Sequence, residues 1–185
     1  MAPWAASYAG TMSALEDWPP APILQTARLS LEPLRIDHAQ EMASVLDDPR
    51  LFAFTGGSPC TLDELRDRYQ RQLTGWSHDR HERWLNWILR ERGTGQAIGT
   101  TQATITIDGD AVIGEVAWIV GSRHQRRGYA REAADAMAAW LREQGARSLF
   151  AEIHPEHEAS MNVARHLGLK PSDEILESGE TLWSE

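Results

Sequence analysis

In ARLSLEPL, residues 27–34, Leu29 and Leu31 alternate with polar side chains, and that two-residue period predicts a strand. Asp37 followed by Gln40 predicts a capping-box start to a helix reaching about Asp47. Thr61 with Glu64 predicts a second such start. Its helix would run to about Trp76 with Leu62, Leu65, Tyr69 and Leu73 on one side. The intervening RLFAFTGGSP has no period and reads as a pocket-lining loop or a plain connection.

Three strands follow, RWLNWILRE (83–91), QAIGTTQATITI (96–107) and AVIGEVAWIV (111–120). Gly93-Thr-Gly95 and Asp108-Gly109-Asp110 supply their turns. Gly99 and Gly114 inside strands predict a bulge or a close backbone approach. From about Arg127 to Glu143 the period changes to a helical one. Ala130, Ala133, Ala134, Met137, Trp140 and Leu141 make one apolar stripe, and Gly145 stands where a C-terminal cap belongs. SLFAEI (148–153) reads as a strand and ASMNVARHL (159–167) as a short helix stopped by Gly168. Two short strands around Ser178-Gly179 complete the pattern. Residues 1–24 show no period and predict a loosely ordered extension, or one that a start at Met12 would shorten. Trp4 and Trp18 favour docking of part of it.

Composition narrows the classes. A chain of 185 residues, 42% hydrophobic and 24% charged, fits one soluble domain. No apolar run reaches membrane-spanning length and no signal-peptide pattern opens the sequence, so a cytoplasmic location is the default expectation, with no membrane partner. The net charge of −9 argues against a nucleic-acid partner, and it suits a cationic one. Lys170 is the only lysine, a usage that fits a GC-rich bacterial genome. Cys60 is the only cysteine, which excludes an internal disulfide and a cysteine zinc cluster. A plain small residue is the better reading of it than a nucleophile. His154, His157 and His166 have poor spacing for a metal, so no metal is expected.

Against that acidic background GSRHQRRGYA, residues 121–130, stands out. A strand ends, a run of amides and a glycine follow, and a helix begins, which is the layout of an anion site. Gly128 would let a phosphate approach the backbone, Ala130 keeps the first helical turn slim, and Arg123, Arg126 and Arg127 add positive charge at the rim. Taken alone, the hexad from Gln125 to Ala130 fits a solvated basic turn equally well. It is neither a Walker loop nor a Rossmann fingerprint.

Spaced motifs across residues 26–185 favour the anion site. Thr26-Ala-Arg28-Leu29-Ser-Leu31, Gln125-x-x-Gly128-x-Ala130-x-Glu132-Ala133, His157-x-x-Ser160 and Leu167-Gly168-Leu169 occur in that order. In this the chain resembles the GNAT superfamily of acetyl-CoA-dependent N-acetyltransferases, in the branch that includes the ribosomal-protein N-terminal acetyltransferases. The resemblance implies an α/β fold with a mixed, mostly antiparallel central sheet flanked by helices, in one domain over 25–185. It implies acetyl-CoA as acyl donor. The pyrophosphate would sit on Gln125, Arg126, Arg127, Gly128, Tyr129 and Ala130, and the pantetheine along Trp118, Ile119 and Val120. His157 stands where asparagine is common and Glu32 where arginine is, which puts an altered cofactor contact at His157.

An alkylammonium acceptor must first lose a proton, which costs ~4.6 kcal/mol at pH 7. Glu115, on the strand leading into the cradle and ten residues before Gln125, stands where many members of the resembled family place a glutamate, and the resemblance makes it the candidate base. Its alternative role is an outward or ion-paired strand residue, and Glu152 and His154 are weaker candidates for the base. Ser160 shares the inward face of its helix with Val163 and Leu167. It is the candidate donor to the departing sulfur, or else a small residue bonded to its own backbone. Trp84, Trp87 and Trp118 read as core, with one of them available to wall an acceptor pocket. The expected activity is acetyl transfer to a primary amine of a small molecule. The alternatives are a protein or peptide N-terminus and a non-catalytic acyl-CoA-binding module. Pairing of two copies through an edge strand is left open.

Overall fold

A computed structural model describes residues 15–185. Its strands are β1 (Leu24–Gln25), β2 (Leu29–Pro33), β3 (Arg83–Glu91), β4 (Ala97–Asp108), β5 (Ala111–Val120), β6 (Ser148–Ile153), β7 (Lys170–Ile175) and β8 (Thr181–Ser184). Its helices are α1 (His38–Val45), α2 (Leu62–Gln72), α3 (Tyr129–Glu143) and α4 (Glu158–His166). The strands form one sheet in the order β1-β2-β3-β4-β5-β6-β8-β7, antiparallel throughout except where β5 meets β6. This is the expected mixed, mostly antiparallel sheet.

α3 and α4 cover one face. Met137, Ala138 and Leu141 of α3 and Val163 of α4 pack with Trp87, Ile105, Val116, Val120, Leu149 and Ile153 of the sheet. α1 and α2 cover part of the other face, where Met42, Leu65 and Tyr69 meet Ile88, Ala97 and Ile119. Both stripes are amphipathic, so their burial against the sheet supplies most of what holds the helices.

Glycines set the ends. Gly145 (φ 105°) lets α3 close with Ala146 N–H donating to Leu141 O and Gly145 N–H to Arg142 O. Gly99 answers a packing demand. A Cβ there would run into the carbonyl oxygen of Ile119, and the register of β3 on β4 skips Ile98 beside it, so both halves of the sequence expectation hold.

Three expectations are corrected. Asp37 does not cap α1. It is already helical, its carboxylate takes Arg35 Nε at 3.1 Å, and the turn begins with His38 N–H donating to Arg35 O. α2 keeps its Thr61–Glu64 capping box but ends at Gln72, because Gly75 (φ 72°) turns the chain and Trp76 bridges to Arg83; Leu73 is left exposed. α3 begins at Tyr129, two residues later than expected, because Gly128 is left-handed. Residues 15–24 pack on the sheet. Leu15 and Trp18 are buried in the main core, and Pro22 O accepts from Trp87 Nε1 at 2.7 Å. Trp4 and Met12 lie outside the described residues.

Gly99→Ala is expected to destabilise the chain by about 1–3 kcal/mol, whereas Gly93→Ala, with nothing within 4 Å of a new Cβ, should be near neutral. Urea denaturation of the two variants checks the contrast.

Candidate functional site

The parallel pairing of β5 with β6 lasts three residues, Ile113–Glu115 against Ser148–Phe150. Beyond it β5 stays with β4 as far as Val120, while β6 stays with β8 from Phe150 to Ile153. The two strands therefore part inside the sheet, and β5 presents an unpaired edge over residues 116–120. Trp118, Ile119 and Val120, the residues expected along the pantetheine, lie on that edge. Trp118 and Val120 lean to the α3 side, and Ile119 packs on the α1–α2 side.

Glu115 is the last paired residue of β5, at the base of this fork. Strand alternation puts it on the α1–α2 face with Ala117 and Ile119, because Val116 and Val120 face α3. It is half-buried and forms no ion pair among the described residues. Loss of hydration pushes its carboxyl above the usual range, and repulsion from Glu152, Glu82 and Glu180 adds to this. Glu152 on β6 is raised by burial and by Glu180. His154 lies just past the end of β6, where its Nδ1 accepts from Glu156 N–H at 3.2 Å.

At the far end of β5, a 3₁₀ turn at Ser122–His124 leads into the hexad. Gln125 Nε2 donates back to Val120 O at 3.0 Å. Arg126 (φ 62°) and Gly128 (φ 81°) are both left-handed, and such alternation turns successive backbone N–H groups to one side as an anion-binding nest. Arg123, Arg126 and Arg127 are exposed around it. The nest is braced from β2. Glu132 in the first turn of α3 accepts from Thr26 Oγ1 (2.6 Å), Arg28 N–H (2.8 Å) and Arg28 Nε (2.6 Å). The Arg28 guanidinium also donates to Arg127 O at 2.9 Å, fixing the peptide that enters Gly128. Tyr129 is buried under that guanidinium, and its hydroxyl donates to Glu91, away from the fork. Ala130 is half-buried at the start of the α3 stripe.

On the opposite bank Ser160 is half-buried in the first turns of α4, on the stripe of Val163 and Leu167. Its hydroxyl bonds to no described residue, so the backbone-bonded alternative is not what the structure holds. His157 is the N-cap of α4 but makes no side-chain cap. Its ring stacks on Phe54 at 4.4 Å and 18°, and burial followed by His154 lowers its pKa. The irregular loop between α1 and α2 thus reaches across to the bank that carries Ser160. Cys60 lies elsewhere, beside a hollow of about 370 Å³ bordered by Ala43, Asp47 and Leu62, with Arg68 Nη2 2.8 Å from its Sγ. No group of three or more His, Cys, Asp or Glu among the described residues could hold a metal. No helix among them is long and apolar enough to cross a membrane.

A family model described as an acetyltransferase (GNAT) domain matches residues 28–170. The chain belongs to the GNAT acetyltransferase family. Members of this family use acetyl-CoA, and the chemistry present is compatible with an anionic, elongated ligand: a forked sheet, a nest of amides and exposed arginines. Among curated proteins the chain is 26% identical over 144 residues to YkkB, an uncharacterized protein of Bacillus subtilis, covering 75% of this chain and 79% of that one. Its fold is similar to that of a GNAT-family acetyltransferase from Bacillus anthracis (TM-score 0.71, 16% identity, 89% of this chain and 98% of the other). It is similar as well to the self-immunity acetyltransferase MccE in complex with acetyl-CoA and AMP (0.71, 11%, 86% and 93%). RimL, an alpha-N-protein acetyltransferase, in complex with coenzyme A, is a third (0.69, 14%, 89% and 97%).

Within this GNAT domain the fold brings Glu115 and residues 118–120 to one bank, Ser160 and His157 to the other, and residues 125–130 to the mouth. Sequence reasoning missed the bracing by Thr26, Arg28 and Glu132, although both motifs were in view; only the fold shows that they meet. It missed Phe54, which carried no periodic signal. Glu32, a departure from the branch pattern, takes Arg90 Nε at 2.9 Å, and the same guanidinium reaches Glu41 at 2.6 Å, tying β2 to β3 and α1.

Two outcomes are expected. Glu132→Ala should lower acetyl-CoA affinity about tenfold in calorimetry, the scale of one lost charged hydrogen bond. Glu115→Gln should raise the melting temperature at neutral pH. A raised carboxyl makes the ionised folded form unfavourable, so the gain is absent below about pH 4 and grows as pH climbs through the raised pKa. Thermal melts across that range check the sign.

Proposed function

We propose that the chain transfers the acetyl group of acetyl-CoA to a primary amine of a small molecule. The observation that carries this reading is the half-buried, unpaired Glu115 at the base of the β5–β6 fork. When bound, acetyl-CoA supplies an acyl thioester; the amine gains the acetyl group and the thiol departs.

The residues divide the remaining work. Residues 125–130, braced by Arg28 and Glu132, hold the pyrophosphate, and the open edge of β5 lines the arm. Glu115 accepts the proton that an ammonium must lose. Its raised pKa brings its basicity closer to that of the amine, and its ionised form attracts the incoming cation. Ser160, with a free hydroxyl on the facing bank, donates to the departing sulfur. The acidity of the whole chain and the carboxylates of Glu82, Glu152 and Glu180 around Glu115 support a cationic acceptor over an anionic one.

Release of CoA from acetyl-CoA, measured against aminoglycosides, polyamines, amino-acid derivatives and short peptides, tests the reading. Glu115→Gln should lower kcat/KM about 10²–10⁴-fold at pH 7 while acetyl-CoA affinity holds. The acid limb of the native profile should lie above the ordinary glutamate range, near 4.3, and vanish in the variant. A chain that binds acetyl-CoA, turns over no amine and is indifferent to both Glu115→Gln and Ser160→Ala would be a binding module instead.

A further inference from the structure

The face that carries Glu115 also carries two primary amides with nothing to bond. Asn86 on β3 is 9% exposed, yet no described residue donates to its side chain or accepts from it. Its amide atoms are not among the sealed, unbonded side-chain polar atoms of the described residues either; those belong to Trp18, His38, Tyr69, Arg83, His124 and Trp183. The Asn86 amide therefore keeps a narrow opening, and no described protein group meets it there.

Register places that opening. Asn86 stands opposite Gln102 on β4, and Gln102 opposite Ala117 on β5. The adjacent row on the same face is Trp84, Thr104 and Glu115. Gln102 is half-buried, and its side chain is also unbonded. Ala117 contributes only a methyl, which leaves the floor between the amides and Glu115 low. With strands ~4.8 Å apart and two residues spanning ~6.8 Å, the Cα of Gln102 lies ~8 Å from that of Glu115 and the Cα of Asn86 ~12 Å.

An amide with so little opening meets only part of its hydrogen-bonding capacity from solvent, and a ligand that completes it gains those bonds. Each side chain offers both an acceptor oxygen and a donor NH₂. A second ammonium on the acceptor would satisfy only the oxygens and would lose much of its hydration. A carboxylate would satisfy only the donors, among four glutamates. A carboxamide or peptide group satisfies both.

Building on the amine acetylation proposed above, we infer that the acceptor carries, several bonds from its amine, an uncharged amide-type group read by Asn86 and Gln102. Four series of matched chain length test this with the full chain and acetyl-CoA: ω-amino carboxamides with about two to five methylenes, the corresponding ω-amino acids, diamines, and plain alkylamines. The readout is the kcat/KM of each series divided by that of the alkylamine, a ratio that does not depend on the fraction of active protein. The native chain should favour carboxamides about tenfold or more, the scale of two neutral hydrogen bonds. Asn86→Leu, nearly isosteric, should bring the ratio close to one without lowering the melting temperature, and Gln102→Leu should lower the ratio as well. Short peptides with free N-termini share the amide chemistry, so a peptide source would show as a ratio for peptide amines above that for the carboxamides. Turnover with no amide preference, or a preference that survives Asn86→Leu, overturns this inference and leaves amine acetylation standing. A lower melting temperature with an unchanged ratio assigns Asn86 to structure alone. No turnover with any amine overturns both readings.

Discussion

β5 and β6 run side by side over Ile113–Glu115 and Ser148–Phe150 before each follows a different neighbour. Both strands are fully committed on their other sides, β5 to the long antiparallel pairing with β4 and β6 to β8. Gly114 sits at the short junction, where a Cβ would come within 2.9 Å of Leu149 Cδ2. The strands can approach there and nowhere further along. The backbone groups on an interior sheet edge must be met by water or by a ligand, so the fork leaves a groove in the middle of the sheet. The cradle at one end, Glu115 at its base and α4 on the far bank all take their places from it.

The charges follow the same plan. A chain with a net charge of −9 concentrates three exposed arginines and a nest of amides at the mouth, and four glutamates around the floor. The glutamates surround the middle of β5 and the arginines lie just past its C-terminal end, so one strand separates the negative and the positive region. The brace from Arg28 and Glu132 holds the basic end by hydrogen bonds to backbone. It shapes the nest while leaving Arg123, Arg126 and Arg127 in solvent.

Much of this was legible in the sequence, because it rests on local rules. The β3, β5 and β6 boundaries follow alternation and turn residues, and the Thr61 cap is a four-residue device. What was not legible depends on meetings between distant segments. Arg28 reaches Glu132 across 104 positions, and Phe54 finds His157 from a loop with no period. Asn86 looked like one more polar residue in a hydrophobic strand until its row on the sheet was known. Asp37 failed as a cap for a local reason, since Arg35, two residues away, claims its carboxylate.

The pattern shared with the family begins at residue 28, but the folded unit does not. Leu15 and Trp18 are core residues, and the indole of the fully buried Trp87 depends on Pro22 for its hydrogen bond. A shortened gene product cut at the family boundary would open a hole beneath the central sheet and strand a buried N–H. The segment that looked most dispensable is, in engineering terms, part of the foundation.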